Sequence, residues 1–414
     1  MLLMNTPERL ALVRGCLQIM VSALVVRMLG AIVLGEGAPF GPDGTGAEAA
    51  VVLGGHPYPL HILMLGVFGA DARALSMLCG ALNCVLLAVW GRRVGLGMAG
   101  GWLAVFAPLS VLPGVLAAGD APALSVALSG VVLSTMGGWR GPLGGALAAL
   151  SVAVKPIALP VLVLLVVHPS SILGALGALV LLRQFISPLW SPMPQGGLLG
   201  TWWVASGGAP PESLMVWTME GLKTLVGIPQ WAQLWWVALG ALSVRRSNCR
   251  MLAATALLPL LGAWMIAAMF GGRGEARYFS AVLLAGLPFA GAVLRDPRLV
   301  GLACGIMTWA TVALVTQVGA SRAALDAHAH VPRLPVLEWP AVEADAIFRT
   351  CSTDDATRLR QLATQLAEVA PLGSTIITEA RPDGREGELF WPLKVLRPDL
   401  KVSTAPAASS SGVD

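Results

Sequence analysis

From residue 1 to residue 318 the chain presents one apolar segment after another, many close to the roughly 20 residues that a helix needs to cross a bilayer. Only 27 charged side chains interrupt this stretch, whereas the last 96 residues carry 23. A water-soluble domain of this length does not sustain 56% hydrophobic residues, 12% charged residues and a mean hydropathy of +0.74. The chain therefore reads as an α-helical polytopic membrane body over residues 1–319. A small, water-exposed α/β domain follows over 320–404, then an Ala/Ser-rich, disordered tail over 405–414.

Short-loop Lys and Arg residues set orientation, because a cytoplasmic excess of them fixes which way helices insert. Arg9 and Arg14 precede or open the first span, Arg92 and Arg93 end the second, and Arg140 ends the fourth. Arg245, Arg246 and Arg250 form the next basic cluster, followed by Arg295 and Arg298. All fall on one side if the body has about eleven spans, with the N-terminus cytoplasmic and the C-terminal domain outside. The stretch 142–187 is irregular: Lys155-Pro156 splits it into segments too short to span as ordinary helices, which predicts short or broken helices meeting at the outer surface. The first apolar segment is long, contains Arg27 and lacks a small-residue cleavage site, so it reads as a retained helix.

This parity sorts the carboxylates. Of those before residue 319, only Glu8 and Asp296 fall on the basic side, while Glu36, Asp43, Glu48, Asp71, Asp120, Glu212, Glu220 and Glu275 fall outside. A carboxylate at the edge of an apolar segment is a functional-site hypothesis, and any chemistry here faces outward. Asp43 lies in the polar turn Gly41-Pro42-Asp43-Gly44-Thr45-Gly46, which either presents the side chain to a site or is a plain surface turn. Asp120 precedes an apolar run with Pro122 two residues on, so it serves a site, caps a helix, or does both.

The order of landmarks between residues 36 and 125 resembles the GT-C glycosyltransferases. It runs from an acidic loop after the first span through His56-Pro57-Tyr58-Pro59-Leu60 and Phe68-Gly69 to Arg73. Gly91-Arg92-Arg93, Pro108 and Gly119-Asp120 complete it. The pattern is most similar to the bacterial branch related to protein O-mannosyltransferases and lipid A aminoarabinose transferases. It extends more weakly through Lys155-Pro156 and Arg277-Tyr278. One departure stands out: many relatives carry an Asp-Glu pair in the first loop, and here Gly44 follows Asp43.

The resemblance implies transfer of a sugar from a polyprenyl-phosphate carrier to an acceptor glycan, lipid or protein on the outer face, in the cytoplasmic membrane of a bacterium. Asp43 is then the candidate base, since proton abstraction needs a carboxylate within reach of the attacking hydroxyl. Asp120 would support the site by orienting the donor sugar or helping to hold a divalent metal where one is used. Lys155 and Arg277 are the candidate cations for the departing phosphate, Arg277 because its guanidinium suits bidentate contact. Against this, Lys155 has the alternative of snorkelling to the headgroups, and Arg273 or Arg277 that of pairing with Glu275. Glu48, His56 and Tyr278 are weaker substrate-contact candidates, and Arg73 reads as a local partner of Asp71. Trp190, Trp202, Trp203, Trp217 and Trp231 fit the membrane interface. Two other classes remain open: a transporter or flippase for a lipid-linked saccharide, and a scaffold that keeps the fold without the chemistry.

Beyond residue 320 the pattern becomes that of a soluble unit, with Leu359, Leu362, Leu366 and Val369 at helical spacing and residues 374–378 as a strand. Cys351 is the single cysteine there, so no disulfide forms within it. No zinc-ligand spacing and no Gly-rich nucleotide loop appear, and the pI near 8.9 reflects loop charges rather than a nucleic-acid surface. The topology is testable with an impermeant thiol reagent. Cys351 should react in intact spheroplasts, and a cysteine placed between Arg245 and Arg250 only after permeabilisation; the reverse pattern would put the acidic loops on the wrong side.

Overall fold

The computed structural model describes residues 6–34, 60, 63–64, 67, 72–115, 119–186, 280–294, 296–326, 362, 365–379, 397 and 399–405. The described body is helical. Its elements are α1 (Thr6–Leu34), α2 (Ala72–Arg93), α3 (Ala99–Phe106), α4 (Pro108–Val111), α5 (Asp120–Ser134) and α6 (Arg140–Leu150). Two 3-10 segments, Ser151–Ala153 and Pro156–Val167, lead to α7 (Pro169–Ile186), and then come α8 (Ser280–Val293) and α9 (Pro297–Asp326). Within α1 and α2, Pro7–Val33 and Arg73–Arg93 are long and apolar enough to cross a membrane by themselves. Leu10, Leu17, Val21, Met28 and Ile32 leave an apolar face of α1 exposed, as do Leu302, Ile306 and Val312 on α9. In a protein of this composition such faces suit hydrocarbon rather than water.

Local chemistry explains the breaks. Ala107 is extended and Pro108 has no N–H, so α3 stops there and α4 restarts the chain in a new direction. Ser110 N turns to the Ala107 carbonyl instead of Phe106, and the Phe106 carbonyl takes the Thr311 hydroxyl of α9. Short pieces do flank Lys155-Pro156, 11 residues in α6 before it and 12 after it, but they do not account for the whole stretch. The chain does break at Lys155, but it continues as a 12-residue 3-10 segment and then as a separate 18-residue helix begun by Pro169. Pro160 withholds an N–H that an α-helix would use, and Ala158, Val161 and Leu164, three apart, are fully buried along one face as a three-residue turn requires.

Helix contacts run through small residues. Gly130 on α5 meets the backbone of Gly144 and Ala148 on α6, so neither glycine has room for a side chain. Gly145 and Gly174 bring α6 against α7, and Gly100 and Gly291 bring α3 against α8. Trp90 and Phe289 close the core edge to face, with ring centroids 5.6 Å apart.

Near the C-terminus, β1 (Thr375–Glu379) and β2 (Lys401–Ala405) pair in parallel. Residues 365–369 are helical, as the leucine spacing predicts. Arg397 grips Asp399 through two hydrogen bonds of 2.7 and 2.8 Å and also donates to the Ala367 and Ala370 carbonyls. That grip, helped by the Gly373 N–H, holds the Asp399 carboxyl well below the usual carboxylate range. Two boundaries shift: α9 continues through residue 319 to Asp326, and Ala405, expected to open a disordered tail, pairs with Glu379 because β2 needs it to match β1.

Gly130→Ala should force α5 and α6 apart and lower stability by about 1–3 kcal/mol, whereas Gly177→Ala, with open space around it, should be neutral or slightly stabilising. Thermal unfolding in detergent reads the difference. Equal melting temperatures would refute the close packing.

Candidate functional site

Two of the sequence-selected residues come together. Lys155 sits between the two 3-10 segments in an extended conformation, which the proline after it favours. Its N–H is satisfied by the Ser151 carbonyl at 2.9 Å. The kink directs the side chain inward, where Nζ lies 2.7 Å from Oδ1 of Asp120. The Asp120 side chain is fully buried and that of Lys155 is 14% exposed. Lys155 is thus an ion-pair partner inside the protein, and the snorkelling alternative does not describe it.

Asp120 is also not a cap. Gly119 holds the N-cap position, Asp120 is the first residue of α5, and neither of its carboxylate oxygens accepts a hydrogen bond from the helix backbone. The ammonium outcompetes the N–H groups because a charge in a dry site gains most from an opposite charge. Oδ2 has no hydrogen-bond partner among the described residues. It is an acceptor at a helix N-terminus, where the dipole favours negative charge.

The start of α5 is held from behind by α2. Asn83 Nδ2 donates to the Ala121 carbonyl at 3.1 Å, and the Ser125 hydroxyl lies 2.8 Å from Asn83 Oδ1 and 2.9 Å from the Cys79 carbonyl, both acceptors. All three side chains are buried or nearly so. Sequence reasoning missed Asn83 and Ser125, because neutral polar residues inside a span carry no signal of their own. It also passed over Arg27, which lies fully buried in α1, although a lone arginine within an apolar span was signal enough.

Arg73 Nη2 donates to the Ala31 carbonyl at 3.0 Å, tying the start of α2 to the end of α1. Asp43, Glu48, His56, Arg277 and Tyr278 lie outside the described residues, as do Asp71, Glu275 and Cys351. Among the described residues no group of three His, Cys, Asp or Glu side chains gathers, and Lys155 stands beside Asp120 where a cation would bind.

Chemically, the pair sets one buried carboxyl oxygen against an ammonium, while the second oxygen has no hydrogen-bond partner among the described residues. Removing one partner strands the other. Asp120→Asn or Lys155→Met alone should cost about 3–5 kcal/mol, while the double variant should regain most of it. Unfolding of the four proteins measures the coupling, and additive losses would show that the contact contributes nothing.

No protein-family model matches the chain, and no curated protein does either. Among solved structures, the fold is similar to the crystal structure of ArnT from Cupriavidus metallidurans bound to undecaprenyl phosphate. The two are 15% identical, with a TM-score of 0.52 over 93% of this chain and 85% of that one. The likeness is one of fold, and it agrees with the membrane fold that the order of landmarks in the sequence implies.

Proposed function

We propose that this protein is an integral-membrane glycosyltransferase that moves a sugar from a polyprenyl-phosphate carrier to an acceptor on the outer face of the cytoplasmic membrane. The observation that carries the reading is the fold shared with a protein crystallised with undecaprenyl phosphate. The buried Asp120–Lys155 pair adds a site of matching chemistry.

In this reading the acceptor hydroxyl attacks the anomeric carbon and the bond from that carbon to the phosphate oxygen breaks. The hydroxyl proton passes to Asp43, and the carrier phosphate leaves with the bonding electrons. Lys155 and Arg277 offset the charge that develops on it, in surroundings where water does not screen the contact. Asp120 holds Lys155 in place and, through Oδ2, accepts from a hydroxyl of the donor sugar. Glu48, His56 and Tyr278 supply further donor or acceptor contacts. No step is assigned to a metal.

The test uses purified protein in lipid, a polyprenyl-phosphate sugar, and release of free polyprenyl phosphate as the readout. Asp43→Asn keeps size and most hydrogen bonding but cannot take the proton, so turnover should fall by about 10² to 10⁴-fold with unchanged expression. A flippase would move the intact donor across the bilayer without releasing the phosphate. A scaffold would do neither, and full activity in the Asp43→Asn protein would move the base to another carboxylate.

A further inference from the structure

Arg27 is among the largest fully buried side chains, seven residues before the end of α1. Its Nη1 donates to the Ala23 carbonyl of its own helix at 3.1 Å. Nη2 donates to the Ser110 hydroxyl at 2.9 Å and to the Ser110 carbonyl at 3.1 Å, and lies 3.5 Å from Cys84 Sγ. Nε passes between two glycines: a Cβ on Gly80 or on Gly114 would stand 2.6 or 2.5 Å from it. Among the described residues, Nε has no hydrogen-bond partner and no carboxylate pairs with the guanidinium.

Stability does not account for this arrangement. A buried charge without a counter-charge is costly, and an apolar side chain of similar length would fill the space at a lower free energy. What the guanidinium adds is a fork. It ties α1 to Ser110 on α4, with α2 running past it at Gly80. On α2, the Cys79 carbonyl and the Asn83 side chain, next to Gly80 and one turn along from it, hold Ser125 and Ala121 of α5. The support that α2 gives to the helix carrying Asp120 therefore leads back, through Cys84 and Gly80, to Arg27.

We propose that Arg27 is a positioning residue for the Asp120–Lys155 pair: by pinning α4 and α2 to α1 it holds the start of α5 where the Asp120 carboxylate meets the Lys155 ammonium. The inference takes from the proposed function only that this pair is the working site, and its test reads the pair directly.

Dicyclohexylcarbodiimide adds to carboxylic acids in apolar surroundings and not to carboxylates held by a cation. Full-length protein in lipid nanodiscs is exposed to the reagent, and the peptide containing Asp120 is quantified by mass. Lys155→Met takes the ammonium away from the carboxyl group and sets the upper rate. Arg27→Met should label at least about tenfold faster than the wild type, the factor that 1.4 kcal/mol of lost pairing represents. Its melting temperature should equal or exceed that of the wild type, because a buried charge is gone. Ser110→Ala keeps the guanidinium and removes one acceptor of its fork, so labelling should rise roughly threefold, in line with the loss of a single hydrogen bond. Wild-type labelling in a folded Arg27→Met protein overturns the proposal, as does wild-type labelling in Ser110→Ala should Arg27→Met fail to fold. The expected pattern in a protein without transferase activity would refute the proposed function and leave the role of Arg27 standing.

Discussion

The ion pair between Asp120 and Lys155 orders the surrounding structure because the carboxyl group is fully buried and the lysine side chain mostly so. In an apolar interior the attraction between opposite charges grows, but so does the cost of leaving either one alone. Every element nearby then has to deliver a side chain to one place. The proline after Lys155 opens the backbone so that the ammonium turns inward. Asn83 and Ser125 fix the first turn of α5 from the other side. A pair of this kind is neutral overall, so it sits in a membrane-embedded core at far lower cost than either member, while still offering an acceptor oxygen and a cation to a polar ligand.

Close helix packing makes that delivery possible. The glycines that bring α5 onto α6 and α6 onto α7 set the path of the chain into the 3-10 segments, and so the height at which Lys155 emerges. In hydrocarbon, helices gain little from hiding apolar surface from one another, so contact depends on backbones approaching closely. Arg27 obeys the same logic in reverse. Two missing side chains, at Gly80 and Gly114, make the slot through which a long polar group crosses between helices.

Much of the fold was readable from hydrophobicity and charge alone. Segments of near-spanning length foretold a helical membrane body, and paired arginines marked the end of α2 where the structure has it. Lys155 drew attention because a cation next to proline between apolar runs has few tolerable environments. Asp120 was singled out too, yet its local sequence is equally that of a helix cap; only the distance to Lys155, 35 positions away in the chain, separates the two readings. Asn83 and Ser125 were silent, since a neutral polar residue facing a neighbouring helix looks the same in sequence as one facing its own backbone. The 3-10 geometry was also hidden, because an unbroken apolar run has no alternation from which to read a period.

That 3-10 segment bears on how so short a stretch serves in a membrane. A 3-10 helix advances about 2.0 Å per residue against about 1.5 Å for an α-helix, so twelve residues extend roughly 24 Å instead of 18 Å. Stretching the backbone gives Pro156–Val167 most of the thickness of a hydrocarbon layer for about three-fifths of the usual chain. The segment is tied at both ends by its own backbone, Lys155 N–H to the Ser151 carbonyl and His168 N–H to the Leu165 carbonyl, so the extra reach is gained between two fixed turns.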